Sequence, residues 1–178
     1  MSAHEVHVST NTRASRDAVY ETLTEALSHL DWGGLRQPRY FRLLSLDGPD
    51  DPLDVGSVFR STGSIPGSRR RFVDISTVTI TDRPSMFEFV TEATVPGRNT
   101  MEATYRHRYE MEPTRDGCSI RYTLRQERVA HPMLRWRVPI VRDVAWKLGL
   151  PIMLGRGLRN LARAAEGRVA DEERTDAA

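Results

Sequence analysis

One stretch of the sequence places a histidine between two tyrosines at alternating positions. Tyr105, His107 and Tyr109 alternate with charged residues, so they share one face of a predicted strand. The next predicted strand offers Tyr122 and Gln126 on the matching face. An imidazole and several phenols projecting into an apolar cup could orient a carbonyl, or donate and accept protons near neutral pH. The pattern nominates His107, Tyr105 and Tyr109 as candidate catalytic residues.

The same residues also have a purely structural interpretation, in which His107 is a hydrogen-bonded core histidine and the tyrosines pack with satisfied hydroxyls. A site histidine would approach a tyrosine hydroxyl or a carboxylate inside an open cavity, whereas a structural one would be capped by backbone in a filled core. Arg60, Asp74 and Glu88 also occur in predicted strands. One of them could lie inside the cup and recognise the polar end of a ligand, although the solvated face is the more usual place for a charge.

Signatures of several enzyme classes are missing from the sequence. It has no His-x-x-x-His, no glycine-rich phosphate loop after a strand and no Gly-x-Ser-x-Gly. Cys118 is the only cysteine, which excludes an internal disulfide and a thiolate metal cluster. We therefore expect neither a metal nor an organic cofactor.

The length, charge balance and single cysteine are typical of one domain in a reducing compartment. The chain has 178 residues, and its 26 basic residues nearly balance its 24 acidic ones, which argues against nucleic acid as a partner. The first residues lack a signal-peptide pattern, and the charge-free run at 148–155 is too short to span a membrane. We expect a cytoplasmic protein, monomeric or homodimeric.

Hydrophobic periodicity predicts a strand, a helical region and then a meander of strands. Residues 6–12 alternate as in a strand, and Ser15 is the expected N-cap of a helix with apolar positions at Ala26, Leu27 and Leu30, stopped at Gly33. The remaining predicted strands are 40–46, 55–62, 71–81, 86–94, 100–112 and 118–126.

Beyond residue 132 the period becomes helical. Leu154 and Leu158 lie on one face of a long closing helix, and Pro151 suits a first helical turn, so we expect two helices with a bend near 149–151. The tail from Val169 is acidic and is expected to fray. The predicted domain is therefore 1–168, followed by a disordered tail at 169–178.

The order of these elements resembles the START-like, or Bet v 1-like, helix-grip superfamily (SRPBCC), and more narrowly its polyketide cyclase/dehydrase and lipid-transport group. The resemblance covers about residues 4 to 168, and the segments that carry it are 6–20, 55–60, 87–89 and 109–117. It implies an α+β fold in which a curved antiparallel sheet of about seven strands wraps a long C-terminal helix, with two short helices after strand one. Similar proteins include carriers of lipids, sterols and plant hormones, and cyclases that act on poly-β-ketones.

A helical insertion at about 131–150 is not explained by the resemblance. It carries Arg135, Arg137, Arg142 and Lys147 beside an apolar line. The segment could contact an anionic membrane surface weakly, or it could close the cavity as a lid with solvated cations.

Our leading hypothesis is a carrier or sensor that binds a hydrophobic small molecule, such as a lipid or polyketide, in an internal cavity. The alternatives are a polyketide cyclase, aromatase or dehydratase that uses His107 and tyrosines, and a membrane-peripheral interaction protein. The residues expected to line the cavity are mostly apolar with a few polar groups: Val8, Phe59, Phe87, Phe89, Met101, Tyr105, His107, Tyr109, Ile120, Tyr122, Leu124, Gln126, Leu154 and Leu158.

Overall fold

A computed structural model describes residues 4–35, 42–64, 70–97, 100–130 and 145–176. Short π-helical segments lie at Asp31–Leu35 and Ala145–Gly149. The strands and α-helices, in chain order, are β1 His4–Thr12, α1 Arg16–Thr24, α2 Ser28–Leu30, β2 Arg42–Asp47, β3 Val58–Ser64, β4 Arg71–Asp82, β5 Met86–Val95, β6 Met101–Thr114, β7 Gly117–Ala130 and α3 Leu150–Asp176.

The seven strands form one antiparallel sheet in the order β1-β7-β6-β5-β4-β3-β2. Strands β2 to β7 follow one another as a meander, and β1 returns to pair with β7 from Thr12 opposite Cys118 to His4 opposite Gln126. With the long C-terminal helix, this arrangement confirms the predicted α+β helix-grip fold. The predicted strands are all present, with ends that differ by a few residues.

The two faces of the sheet differ in character. We call the face that carries Phe59, Phe89 and Tyr109 the inner face, because its residues belong to the hydrophobic core. Helix α1 contacts β5 and β6, and α3 contacts β1 and α1. The outer face carries the charged residues that alternate with the inner ones, as the period-2 pattern predicts.

The helical region after β1 contains the two short helices that the resemblance implies, whereas the periodicity predicted one continuous helix. The Ser15 hydroxyl accepts from the Ala18 amide at 3.2 Å as an N-cap, but the helix ends at Glu25, which adopts an extended conformation. This break rotates the following residues relative to α1. Leu27, predicted on the buried face, is 57% exposed, whereas His29 is buried.

Helix α3 begins as predicted and continues further than predicted. Pro151 lies in its first turn, and the junction with the preceding π-helical segment falls within the predicted bend region. The helix extends through the acidic segment to Asp176, which corrects the expected disorder from Val169 onward. Val169 packs on the core and Arg168 pairs with Glu25 at 2.7 Å, so these contacts hold the turn that was expected to fray.

The predicted insertion lies largely outside the described residues, which exclude 131–144 and therefore Arg135, Arg137 and Arg142. Within the described part, Lys147 is exposed. No helix among the described residues combines the length and apolar character needed to span a membrane.

Candidate functional site

The inner face changes along β6 from a filled core to a partly accessible surface. Met111 and Tyr109 are 2% and 5% exposed, whereas His107 and Tyr105 are only half-buried. The filled end lies under α1, and Thr12 at the end of β1 donates to the Glu166 carboxylate of α3 at 2.9 Å. The partly accessible end therefore lies toward the start of β1. His107 stands at the boundary between the two.

The His107 ring is held between a phenylalanine and a tyrosine hydroxyl. It stacks on Phe89, its cross-strand partner, with ring centroids 4.5 Å apart and an interplanar angle of 11°. Its Nδ1 lies 2.7 Å from the Tyr122 hydroxyl. Its Nε2 is buried and has no hydrogen-bond partner among the described residues. A buried polar atom left without a partner costs roughly 1–3 kcal/mol, so such an atom marks a position where a further group would stabilise the protein.

Burial keeps His107 uncharged. Desolvation, together with the nearby His29, lowers the pKa of His107 to about 3. A neutral imidazole has one donor and one acceptor. If the Tyr122 hydroxyl donates to Nδ1, then Nε2 carries the proton and can donate to a carbonyl; in the other tautomer Nε2 can accept from a hydroxyl.

Tyr122 connects His107 to a second tyrosine. The rings of Tyr109 and Tyr122, which face each other across β6 and β7, have centroids 4.6 Å apart. Burial raises the pKa of both side chains. Both phenols therefore stay protonated at neutral pH, so the Tyr122 hydroxyl can donate to Nδ1 of His107.

Tyr105 and Gln126 form a second polar pair on the accessible part of the inner face. The Gln126 side-chain amide donates to the Tyr105 hydroxyl at 3.4 Å, a long and weak hydrogen bond. Burial is the main cause that raises the pKa of Tyr105. Both side chains are half-buried, so this pair keeps hydrogen-bonding capacity for another molecule.

The structure divides the remaining predicted cavity residues into two groups, all of them on the inner face or on the helix packed against it. One group is buried and forms the filled core: Phe59, Phe87, Phe89, Tyr109, Ile120, Tyr122, Leu124 and Leu158. The other is half-buried: Val8, Met101, Tyr105, His107, Gln126 and Leu154. Only the second group has surface that a bound molecule can contact without displacing core side chains.

Two buried aromatic residues beside the inner face, His29 and Trp32, were not predicted. His29 is buried between Trp32 and Phe59, with ring centroids 4.8 and 5.6 Å away, and its Nε2 donates to the Leu23 carbonyl at 2.7 Å. Desolvation lowers the pKa of His29 to about 4. The periodicity gave no signal for His29, because it predicted one continuous helix and the break at Glu25 changes which residues face the core.

The three strand charges lie on different faces. Asp74 lies on the inner face, opposite Ser61 on β3 and Ala93 on β5. Arg60 is exposed, and Glu88 points outward, where it is covered by Arg106 and Arg108 at 2.6 and 2.7 Å. Of these three residues, Asp74 is therefore the one that lies on the inner face.

The outer face carries a polar depression of about 500 Å³. It lies over β1, β6 and β7 and is lined by Glu5, His7, Arg106, Arg108, Glu110, Arg121, Thr123 and Arg125. Since none of these side chains is apolar, the depression does not match the predicted hydrophobic site.

Comparison with known proteins identifies the fold and leaves the family open. No protein-family model and no curated protein matches the sequence. Among solved structures, an uncharacterised protein from Rhizobium leguminosarum superposes with a TM-score of 0.65 at 10% identity, covering 91% of this chain and 96% of that chain. Protein Ms6760 from Mycobacterium smegmatis gives 0.60 at 11% identity, covering 90% of each chain.

Ara h 8.0201 gives a TM-score of 0.59 at 10% identity, covering 93% of this chain and 99% of its own. The match therefore spans nearly the whole length of both chains. Identities this low establish a shared architecture and nothing about chemistry. The chain has the helix-grip fold seen in Ara h 8.0201 and in these bacterial proteins.

Proposed function

We propose that the protein binds a hydrophobic small molecule between the accessible half of the inner face and α3, as a carrier or sensor. The observation that carries this proposal is the buried Nε2 of His107, which lacks a partner and lies beside the half-buried Tyr105. Apolar surroundings with a few oriented polar groups are typical of small-molecule sites. A ligand carbonyl or hydroxyl would complete the hydrogen bonding of His107, and lipids, sterols and polyketides all carry such groups.

A second candidate function is catalysis on such a ligand, as in a polyketide cyclase or dehydratase. The contact between His107 and the Tyr122 hydroxyl favours it, because His107 approaches a hydroxyl and is not capped by backbone. A pKa of about 3 makes His107 a weak base in the unliganded protein. Binding is therefore the better supported function, and catalysis would require a substrate that raises this pKa.

The test combines ligand identification with filling of the site. Native mass spectrometry of the purified protein, followed by extraction, should identify an adhering hydrophobic molecule. Ala103 is a half-buried small residue on the inner face, and Ala103→Trp should fill the accessible half and abolish uptake of an environment-sensitive fatty-acid probe. The matched control is Thr104→Trp, which places the same side chain on the outer face. Equal probe uptake by both folded variants would contradict the proposed site.

We also propose that the start of α3 contacts an anionic membrane surface. Leu148 and Ile152, one turn apart, are 63% and 59% exposed. From Lys147 to Ala165 the sequence has four cations and no acid, so apolar and cationic groups adjoin. Each cation near an anionic bilayer contributes about 1 kcal/mol, which suits weak and salt-sensitive docking.

Sedimentation with anionic vesicles at low ionic strength tests this docking. We expect cosedimentation with anionic but not neutral vesicles, lost in high salt and weakened by Arg135→Glu combined with Arg142→Glu. Leu148→Ser combined with Ile152→Ser should weaken it further, because it removes the exposed apolar pair. The proposal fails if the protein stays in the supernatant with anionic vesicles.

A further inference from the structure

Asp74 is a carboxyl group on the inner face with an unsatisfied oxygen. Its Oδ1 is buried and has no hydrogen-bond partner within the described part of the chain. The residue is half-buried on the inner face of β4. A carboxyl group in this position loses hydration without a compensating hydrogen bond, which costs several kcal/mol if it is ionised.

The neighbours of Asp74 are small. Its cross-strand partners are Ser61 and Ala93, and Ala93 in turn lies opposite Ala103 on β6. Larger side chains on either side, among them Phe59, Phe72 and Phe89, belong to the buried set. Because these side chains are short, they fill little of the space beside the carboxyl group, which is the kind of position where a ligand group could approach Asp74.

Asp74 and His107 lie at the two ends of one part of the inner face, which includes Ala103 and Tyr105. Along the sheet they are separated by two strand spacings and, on β6, by the four residues from Ala103 to His107. Ideal spacings of about 4.8 Å between strands and about 3.3 Å per residue place their backbones roughly 16 Å apart, and the inward-pointing side chains shorten the gap that a ligand must span. Such a span suits an elongated molecule of sterol or fatty-chain length.

We infer that Asp74 is a second polar anchor of the proposed ligand site and accepts a hydrogen bond from a hydroxyl or amine at the end of the ligand remote from His107. This inference rests on the proposed function and narrows it. The ligand class becomes an elongated hydrophobic molecule with hydrogen-bonding groups at both ends. A donor at Asp74 would satisfy Oδ1, and an amine would also neutralise its charge.

The inference is supported by the ionisation behaviour of the carboxyl group. Burial raises the pKa of Asp74 to about 7, so both its protonated and its ionised form are accessible near neutral pH. Tyr105, on β6, is the titratable group whose pKa its charge affects. Either form of the carboxyl group retains an acceptor oxygen, so a hydroxyl donor is accommodated in both.

Displacement of the dye anilinonaphthalene sulfonate by ten-carbon probes tests the anchor. The probes are the mono-alcohol, the α,ω-diol and the α,ω-amino alcohol. In the wild-type protein we expect the diol and the amino alcohol to displace the dye with dissociation constants about tenfold lower than that of the mono-alcohol. A hydrogen bond to a buried carboxyl group changes affinity by that factor or more.

Asp74→Leu should bring all three probes to the affinity of the mono-alcohol while leaving that affinity unchanged. Asp74→Asn keeps an acceptor oxygen, so it should preserve part of the preference for the diol and lose the preference for the amine. The asparagine variant also tests the anchor if the leucine variant does not fold. Glu92→Gln, which changes an exposed carboxylate on the neighbouring strand β5, is the matched control and should behave as wild type.

Two outcomes separate the anchor from the site itself. Equal displacement by the mono-alcohol and the diol in the wild type, or a preference that survives Asp74→Leu, would overturn the anchor alone. Failure of every probe to displace the dye, or failure of the dye to bind, would overturn the proposed function and the anchor with it.

Discussion

The Nδ1 atom of His107 and the hydroxyl of Tyr122 lie 2.7 Å apart across the boundary between β6 and β7. The two residues are not direct cross-strand partners, because His107 lies opposite Leu124 and Tyr122 lies opposite Tyr109. The contact is therefore diagonal, within the reach of aromatic side chains on one sheet face. It fixes the ring of His107 and leaves Nε2 as the ring nitrogen without a hydrogen-bond partner among the described residues.

This relationship predicts that His107 and Tyr122 are energetically coupled. Tyr122→Phe should lower the free energy of unfolding by about 1–2 kcal/mol, because it leaves Nδ1 buried without a partner. His107→Phe preserves the stacking on Phe89 and should change ligand selectivity with less effect on stability. The double variant should be more stable than the sum of the single effects implies, which urea unfolding of all four proteins measures. Strict additivity would contradict the coupling.

Acid should destabilise the fold through its two buried histidines. Burial lowers the pKa of His107 to about 3 and that of His29 to about 4, below the value of about 6.5 that the unfolded chain has. Their contribution is complete above pH 6.5 and is lost as the pH falls, since the unfolded state then binds protons that the native state excludes. His107→Phe should reduce the loss between pH 6.5 and 4.5 by up to about 2–3 kcal/mol. Urea unfolding over this pH range measures the loss, and an equal loss in His107→Phe and the wild type would contradict the prediction.

Asp74 should have the opposite effect on the pH dependence of stability from that of the two histidines. Its pKa of about 7 in the native state is above that of an unfolded aspartate, about 3.9, so the native state holds its proton more tightly. The free energy of unfolding therefore falls as the pH rises from about 4 to 7, by at most about 1.4 kcal/mol per pH unit. Asp74→Asn should be more stable than the wild type at pH 8 and no more stable at pH 4. Thermal unfolding at the two pH values measures this, and an equal effect at both would contradict the burial of the carboxyl group.

Glu88 should stabilise the outer face of the sheet. It is 1% exposed and accepts from Thr79, Arg106 and Arg108. Burial opposes its ionisation, but the hydrogen bonds from Arg108, Thr79 and Arg106 outweigh it and lower the pKa of Glu88. Glu88→Gln should lower the free energy of unfolding by about 1–3 kcal/mol at pH 7, an effect lost as the pH falls below about 4. Glu110→Gln is the half-buried control on the same face, and ligand uptake should be unchanged in both.

Much of the fold could be predicted because it depends on local patterns. Alternation along residues 100–112 places Tyr105, His107 and Tyr109 on one face in any strand, and the turn residues from Pro113 to Gly117 require a hairpin there. The helix around Arg16 began as predicted because Ser15 caps it locally. Its end was not predictable in the same way, since Glu25 leaves the helix where the Thr24 carbonyl accepts from Leu53, a residue distant in sequence.

The sequence by itself determined which side chains share a face, because the period of two is a property of every strand. Only the tertiary structure decided which of them meet, which are buried and which remain accessible. His29 lies in the core against Phe59. Asp74 lies on the inner face of the sheet, whereas Glu88 lies on the outer face. Those outcomes depend on strand register and on the packing of helices over the sheet, and a shift of one residue would exchange the faces. The burial of His107 and Asp74 is therefore set by residues far from them in the chain, and this burial shifts the pKa of both groups.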